Sequence, residues 1–359
     1  MDMPPSGPAR RSARAEEVTR GLPTALRRLT RVALIALYLA GVALLAGAIL
    51  EAVARTRNLA GYVRSSSPRL VYALRPGYAG NSSTGHRDRE YSRTKPPGVF
   101  RVIGLGDSYS YGMGVARDRV FLKVAEEELN RRLARPVEVI NFGVPGYNTA
   151  MEAAVLEEVT PAWQPDLVVI QFCGNDFNLP NFIQTRTNGL IARSFALHLV
   201  LSHLARTWPT FVKKDLMRYW FDGEVFPAPG LEHVPIENYN PIRDPGRSPA
   251  EYRYMLGEAG VRAAFRAIRA ESRRRSLPVL LLVGWGGGDR EVAQWAEAEG
   301  LAVADMWPAI QRHLAETGRG FKSLWVAPPL DNHPNQEGHA IIGRMLAEKI
   351  LELGLLAPK

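Results

Sequence analysis

Ser108 is the residue in this sequence whose position best suits a nucleophile. It follows the apolar run 101–106, which predicts a strand, and it precedes a predicted helix. At such a junction the hydroxyl is exposed, and the serine's own N–H and the helix N-terminus favour negative charge beside Oγ. A hydroxyl attacks only after a base has removed its proton, so this chemistry also needs a histidine.

His333 is the histidine that the sequence offers for this role. It lies in the segment 330–335, a predicted loop that leads into the last helix. Asp331, two residues earlier, is spaced to orient the imidazole. An Asp-x-His pair is weak evidence by itself, because turns are rich in Asp, Asn and Pro.

Two further loops carry groups that can stabilise an oxyanion. Gly146 follows the second predicted strand and can bring its backbone N–H close to a substrate. Asn175, in Cys173-Gly174-Asn175-Asp176 after the third strand, carries an amide that can donate to a developing alkoxide. Each segment, taken alone, is also typical of an ordinary turn.

A dinucleotide-binding loop is a competing interpretation of Gly104-Leu105-Gly106. Tyr109 stands where that motif requires its third glycine. No carboxylate clearly ends a second strand about 20 residues later, as the motif also requires. The sequence therefore disfavours phosphate binding by this loop.

No metal site is predicted from the histidines or the cysteine. His198 and His203 have one candidate carboxylate after them, Asp215, and are interpreted as surface or packing residues. His339 is predicted to be packed or solvent-facing within the last helix. Cys173, the only cysteine, ends a predicted buried strand and is interpreted as a small core residue. We therefore expect no metal and no organic cofactor.

The four segments together resemble the SGNH (GDSL-type) hydrolase superfamily. Its blocks occur here in chain order, over about residues 100–359, as Gly106-Asp107-Ser108, Gly146, Gly174-Asn175-Asp176 and Asp331-Asn332-His333-Pro334. The resemblance implies that Ser108 is the nucleophile and that His333 and Asp331 complete a triad. It also implies an oxyanion hole formed by the Ser108 N–H, the Gly146 N–H and the Asn175 side chain.

One departure from the family pattern concerns the aspartate. The family's aspartate lies three residues before the histidine, where this chain has Leu330. We expect Asp331 to reach Nδ1 of His333 through a loop that is one residue shorter. The alternative is a dyad in which a backbone carbonyl holds the imidazole.

The elements that must position these residues alternate between strand and helix from Phe100 onward. Their apolar runs, which lack polar alternation, predict parallel strands buried on both faces. The expected fold is a three-layer α/β/α sandwich with a mostly parallel, flavodoxin-like sheet and an insertion at about 179–248. The predicted strands are 101–106, 137–143, 167–173, 278–284 and 301–307, and the predicted helices lie near 119–134, 149–160, 249–275 and 290–300 and after Asn335.

The N-terminal region predicts one transmembrane helix. Residues 32–50 carry no charge, and about 20 apolar residues are enough to cross a bilayer. The first 31 residues hold seven arginines and three acidic residues, so we expect this basic tail, 1–31, in the cytoplasm. Residues 51–99 are then predicted to be an extracytoplasmic tether, and 100–359 the extracytoplasmic hydrolase domain. A cleaved signal peptide ending near 52–54 is the alternative.

These features predict a single-pass protein of the cytoplasmic (inner) membrane. We expect a serine esterase that acts on acyl groups of cell-envelope glycans or lipids through an acyl-serine intermediate. The same residues would serve an O-acetyltransferase acting on an envelope polysaccharide, and a non-catalytic envelope binding or scaffold protein is the alternative of another class. The net charge is +9, but much of it lies in the basic tail. The positive charge on the rest of the chain is too sparse to bind a nucleic-acid partner. Neither acyl length nor oligomeric state follows from the sequence.

Overall fold

The computed structural model describes residues 24–56, 61–78, 80–180, 250–329 and 331–356, with short pieces at 184–185, 194, 234–235, 242 and 245–248. Most of the insertion predicted at 179–248, including His198 and His203, therefore lies outside the described residues. Contacts along the chain divide it into two compact units, Met1–Asn58 and Leu59–Lys359.

The first unit contains one long helix, α1 (Thr24–Thr56). Its segment Arg28–Val53 has a mean hydropathy of 2.5 in its most apolar window, and none of that window is buried within the protein. The uncharged run 32–50 lies inside this segment. The helix is therefore long and apolar enough to cross a membrane.

The second unit contains the remaining described elements. Its strands are β1 (Tyr62–Arg64), β2 (Tyr72–Leu74), β3 (Phe100–Leu105), β4 (Val137–Asn141), β5 (Leu167–Gln171), β6 (Gln184–Thr185), β7 (Val234–Pro235), β8 (Val279–Val283), β9 (Ala302–Asp305), β10 (Trp325–Ala327) and β11 (Asp331–Pro334). Its helices are α2 (Ser108–Tyr111), α3 (Phe121–Arg132), α4 (Thr149–Glu158), α5 (Gly257–Arg275), α6 (Arg290–Ala298), α7 (Trp307–Thr317) and α8 (Gln336–Glu352).

Five of these strands form one parallel sheet in the order β4-β3-β5-β8-β9. Numbered along the chain among themselves, they have the order 2-1-3-4-5 of flavodoxin-like folds. The order reverses between β3 and β5, and ligand sites of open parallel sheets lie beyond the carboxyl ends of the strands at such a point. The segments after β3 and β5 are therefore where a site is expected.

Helices cover both faces of the sheet. Ile103 and Leu105 of β3 pack into a core shared with α4 and α5, whereas Phe100 and Val102 pack into a second core shared with α3 and α8. Successive strand residues point to opposite faces, so a strand with a core on each side is apolar throughout. This confirms the predicted three-layer sandwich and explains the missing polar alternation.

Residues 61–99 differ from the predicted tether. Tyr62 and Tyr72, on the antiparallel pair β1 and β2, are buried in the same core as α4 and α5. The carboxyl of Asp88 is buried and accepts the backbone N–H of Asn141 at 2.9 Å. The described residues of this range therefore pack into the second unit, because their scattered aromatic and aliphatic side chains fill its core.

Two elements in the C-terminal part of the chain were not predicted. The helix α7 begins at Trp307, which the sequence analysis assigned to a strand, and Pro308 lies in its first turn, where no N–H partner is needed. The segment 331–334, predicted as a loop, is the strand β11 and pairs with β10 in a short antiparallel hairpin. This hairpin carries His333.

Candidate active site

A sharp turn between β3 and α2 presents Ser108. Gly106 stands at this turn, and a Cβ added there would lie 2.2 Å from Oγ of Ser110, so a side chain does not fit. The carboxylate of Asp107 accepts the backbone N–H of Tyr109 at 2.9 Å and so caps the short helix. Ser108 is the first residue of α2 and is partly exposed.

The end of β4 holds this turn in place. The side-chain amide of Asn141 donates to the carbonyl of Ser110 at 2.7 Å, and its oxygen accepts the N–H of Gly143 at 2.8 Å. A Cβ on Gly143 would lie 2.4 Å from the backbone N of Tyr111. Asn141 and Gly143 lie at the predicted end of the second strand, but their role in holding the Ser108 turn was not predicted; the available signal was a polar residue and a glycine at a strand end.

The hairpin of β10 and β11 brings His333 to Ser108. The imidazole Nε2 lies 2.7 Å from Oγ of Ser108, within hydrogen-bond distance. His333 is buried, with 6% of its surface exposed, and the ring of Tyr109 packs against it at 5.0 Å between centroids. A serine hydroxyl beside an enclosed imidazole is the pair that general-base activation requires.

Asp331 completes a line of three side chains. Its Oδ1 lies 2.6 Å from Nδ1 of His333 and also accepts the backbone N–H of His333 at 2.9 Å. Burial alone would raise the pKa of the Asp331 carboxyl, but its hydrogen bonds with His333 and the charge of that ring outweigh burial and lower it. An ionised carboxylate there keeps the Nδ1 proton in place and leaves Nε2 free to accept one.

The two other residues of the expected oxyanion hole lie in loops that follow β4 and β5. Gly146 is the third residue of a turn in which the N–H of Tyr147 donates to Val144, and its φ of 78° suits a glycine. Val144 donates to the carbonyl of Gly106 at 3.0 Å, so this turn lies beside the Ser108 loop. Asn175 lies in the 3-10 turn Gly174–Phe177, and its side chain is exposed.

Asp107 links Ser108 with Asn175. Its carboxylate is fully buried and accepts a hydrogen bond from the Ser108 hydroxyl at 3.3 Å. Burial raises the pKa of this carboxyl, and the Tyr109 N–H, the charge of His333 and the nearby side chains of Asn175 and Ser108 offset part of the effect. Asp107 therefore connects the proposed nucleophile loop with the proposed oxyanion donor.

Two further acids are buried behind this loop. Asp176 accepts the hydroxyl of Thr149 at 2.8 Å, and Glu152 lies one turn further along α4. Burial, and then the charges of the neighbouring acids, raise the pKa of both carboxyls well above the ordinary value. Among the described residues, neither oxygen of Glu152 has a hydrogen-bond partner. Asp176 belongs to a block that the sequence analysis identified, but the burial of Glu152 beside it was not predicted, because Glu152 lies in a helix with no clear apolar face.

The remaining candidates have structural surroundings. His339 is fully buried in α8, where Nδ1 accepts the N–H of Phe121 and burial lowers the pKa to about 3. Desolvation and the charges of Asp107 and Asp176 raise the pKa of the Cys173 thiol well above its ordinary value, so the reactive thiolate is disfavoured. Within the described part of the chain, no group of three or more His, Cys, Asp or Glu side chains is arranged to hold a metal ion.

Comparison with known families decides the class of this arrangement. Residues 105–341, more than half of the chain, match the model of the GDSL-like lipase/acylhydrolase family. The chain belongs to this family. The GDSL-like enzyme is thus an esterase of the SGNH type, as the motifs implied, and no curated protein matches its sequence.

Several solved structures are similar to this GDSL-like esterase. An acetylxylan esterase from Geobacillus stearothermophilus is 17% identical with a TM-score of 0.38, over 70% of this chain and 94% of that one. A two-domain esterase active on acetylated mannans is 14% identical with a TM-score of 0.41, over 73% and 51%. An alpha/beta hydrolase from the metagenome of Lake Arreo, Spain, is 14% identical with a TM-score of 0.39, over 72% and 97%.

Proposed function

We propose that Ser108, His333 and Asp331 are the catalytic triad of this esterase. The observation that supports the assignment is the 2.7 Å contact between Nε2 of His333 and Oγ of Ser108. As Oγ attacks the acyl carbon, Nε2 accepts the serine proton, and the imidazolium then donates it to the leaving alcohol. Water, deprotonated by the same nitrogen, releases the acid from the acyl-serine and restores the hydroxyl.

The negative charge of the tetrahedral intermediate needs donors that are already in place. We assign this role to the N–H of Ser108, the N–H of Gly146 and the side-chain amide of Asn175. The influence of the Asn175 side chain on the pKa of Asp107 supports the assignment, because it places this amide beside the Ser108 loop. Asp107 then acts as a positioning residue.

The natural substrate we propose is an acylated glycan or lipid of the cell envelope. The support is α1, whose apolar segment Arg28–Val53 suits a membrane anchor and follows an arginine-rich tail. In this topology the N-terminus lies in the cytoplasm and the esterase unit lies outside the cytoplasmic membrane. Ester bonds of envelope polymers are then the substrates within its reach.

The deciding experiment measures hydrolysis of p-nitrophenyl acetate by the full chain in detergent. We expect Ser108→Ala to lower kcat by about 10⁴-fold or more, because the nucleophile is lost. Ser92→Ala, which alters an exposed serine to which no role is assigned, is the matched control and retains wild-type activity. Retention of activity in Ser108→Ala would contradict the triad assignment.

A second measurement separates hydrolysis from acyl transfer. A fluorophosphonate that labels Ser108 in a protein without esterase turnover would indicate an O-acetyltransferase, which uses the same residues but passes the acyl group to a polysaccharide. Adding an acyl donor with a glycan acceptor then measures transfer directly. Labelling together with turnover on p-nitrophenyl acetate supports the esterase, and absence of both would favour a binding protein.

A further inference from the structure

Four half-buried aromatic rings form a patch beside the hairpin that carries His333. Phe321 lies at its centre, 5.0 Å from Trp285, 5.2 Å from Trp307 and 5.9 Å from Trp325, measured between ring centroids. All four rings are partly exposed. We call this group, Trp285, Trp307, Phe321 and Trp325, the aromatic patch.

The aromatic patch is connected to the reacting groups through Trp285. Its indole N–H donates to the carbonyl of Asn332 at 3.1 Å, and Asn332 lies between Asp331 and His333 in the chain. The ring of Tyr109 neighbours both, with its centroid 6.3 Å from that of Trp285 and 5.0 Å from that of the His333 imidazole. Trp285 therefore lies about two ring separations from the base and is held there by a hydrogen bond.

Three consecutive glycines form the loop next to the aromatic patch. Gly286, Gly287 and Gly288 follow Trp285 directly, and the first two have φ values of 106° and 82°, which favour glycine. A Cβ on Gly287 would lie 2.8 Å from the ring of Trp307. The backbone of this loop therefore packs against the Trp307 ring, and none of its three glycines carries a side chain that could cover the other rings.

The side of the site on which the patch lies indicates which half of an ester it meets. His333 Nε2 returns its proton to the leaving oxygen, so the alcohol must lie beside the imidazole during the reaction. The proposed oxyanion donors Gly146 and Asn175 follow β4 and β5, whereas Trp285 follows β8 and bonds to the β11 hairpin. The patch therefore lies on the alcohol side.

We propose that the aromatic patch binds a pyranose ring in the alcohol part of the substrate, so that the enzyme selects acyl esters of sugars. This inference rests on the proposed roles of Ser108 and His333. The apolar C–H face of a pyranose packs on flat aromatic rings, while its hydroxyls need polar groups at the rim. Lys322, with Nζ 5.9 Å from the Trp325 ring centroid, and the exposed Ser323 supply such groups.

The test compares two acetate esters that differ in the alcohol. Methyl 6-O-acetyl-glucopyranoside presents a pyranose ring, and ethyl acetate presents none. For Trp285→Leu in the full chain we expect the kcat/KM ratio of glucoside to ethyl acetate to fall about tenfold, mainly through KM, since an aromatic contact of this kind is lost. In Trp285→Phe, which keeps an aromatic ring, we expect this kcat/KM ratio to fall less. This variant replaces the leucine variant in the test if the latter does not fold.

A matched control and the contrary outcomes make the test specific. Trp295→Phe alters a half-buried tryptophan that packs against the core on the α5 face and should leave the ratio unchanged. Equal losses on both esters would overturn the inference, because Trp285 would then only hold the His333 hairpin. The inference would also be overturned if the Trp285 variants changed the preference between ethyl acetate and ethyl hexanoate, because the aromatic patch would then bind the acyl chain.

Failure of the proposed function has a different signature. If Ser108→Ala hydrolyses ethyl acetate as fast as the wild type, the triad assignment fails and the inference fails with it. If the wild type hydrolyses ethyl acetate through Ser108 but the leucine and phenylalanine variants keep its ratio, only the pyranose site is overturned.

Discussion

Nε2 of His333 lies 2.7 Å from Oγ of Ser108, although 225 positions separate the two residues in the chain. The parallel sheet explains the contact, because Ser108 follows β3, which pairs with β4 and β5, and His333 lies on the hairpin just before α8. That helix packs on α3, in the core that also contains Phe100 and Val102 of β3. The geometry of the pair thus depends on packing along the whole sheet face.

The first prediction concerns the tautomer of His333. In Asp331→Asn the side-chain amide can donate to Nδ1, which moves the ring proton to Nε2 and leaves that nitrogen unable to accept from Ser108. We expect kcat for p-nitrophenyl acetate to fall by about 10³–10⁴-fold with little change in KM. Asp118→Asn, on the exposed surface, is the control. Wild-type kcat in the Asp331 variant would favour the dyad held by a backbone carbonyl.

The second prediction concerns the proposed oxyanion donor. Asn175→Ala should lower kcat by about 10²–10³-fold, because one donor to the developing charge is removed while nucleophile and base remain. Labelling of Ser108 by a fluorophosphonate should persist, though more slowly. The exposed side-chain amide of Gln311 provides the matched control, Gln311→Ala. Equal kcat in Asn175→Ala and wild type would remove Asn175 from the oxyanion hole.

The sheet could be predicted because its signal is local and repeated. Each of the five strands is an apolar run, and a run without polar alternation requires cover on both faces. Ser108 and His333 could be predicted for a related reason, since strand ends in such a sheet meet at one edge. The contact of Asp331 with His333 could also be predicted despite the one-residue displacement, because a carboxylate two positions before the histidine can still reach Nδ1.

The parts that the sequence did not predict depend on tertiary packing. Residues 61–99 lack periodicity, yet Tyr62 and Tyr72 fill a core that other segments create. Glu is typical of protein surfaces, and Glu152 is buried because α4 packs against α5 and contributes to the core on that face of the sheet. Asn141 and Gly143 match ordinary turn residues until α2 is seen to pack on them.

The third prediction concerns residues 61–99, which the structure places in the core. The hydroxyl of Tyr72 donates to the carbonyl of Pro145 at 2.8 Å, next to Gly146. Tyr72→Phe should lower the free energy of unfolding by about 1 kcal/mol, measured by urea denaturation, because this buried hydrogen bond is lost. The exposed Tyr38 provides the control variant, Tyr38→Phe.

Residues 61–99 also determine where a soluble fragment of the enzyme can begin. A chain that begins at residue 59 keeps the buried residues of β1 and β2, whereas one that begins at residue 100 loses them. Each buried aliphatic or aromatic side chain contributes about 1.5–3 kcal/mol, so several together match the stability of a whole domain. We expect the shorter chain to lose its cooperative thermal transition. A folded, active chain from residue 100 would show that residues 61–99 are a tether after all.

The last prediction concerns the buried carboxyl of Glu152. Burial, and then the charges of Asp176 and Asp107, raise its pKa well above the ordinary value of 4.5. The folded protein therefore holds a proton that the unfolded chain releases above about pH 4.5. The carboxyl's contribution to stability is present below that pH and is lost as pH rises, by up to about 1.4 kcal/mol per pH unit.

Glu152→Gln removes this ionisation and keeps the shape of the side chain. We expect its free energy of unfolding relative to wild type to increase from pH 5 to pH 8, as measured by urea denaturation at each pH. Glu316→Gln, on the exposed surface of α7, is the matched control. A stability difference that stays constant with pH would mean that Glu152 is ionised in the folded protein, which would contradict the raised pKa.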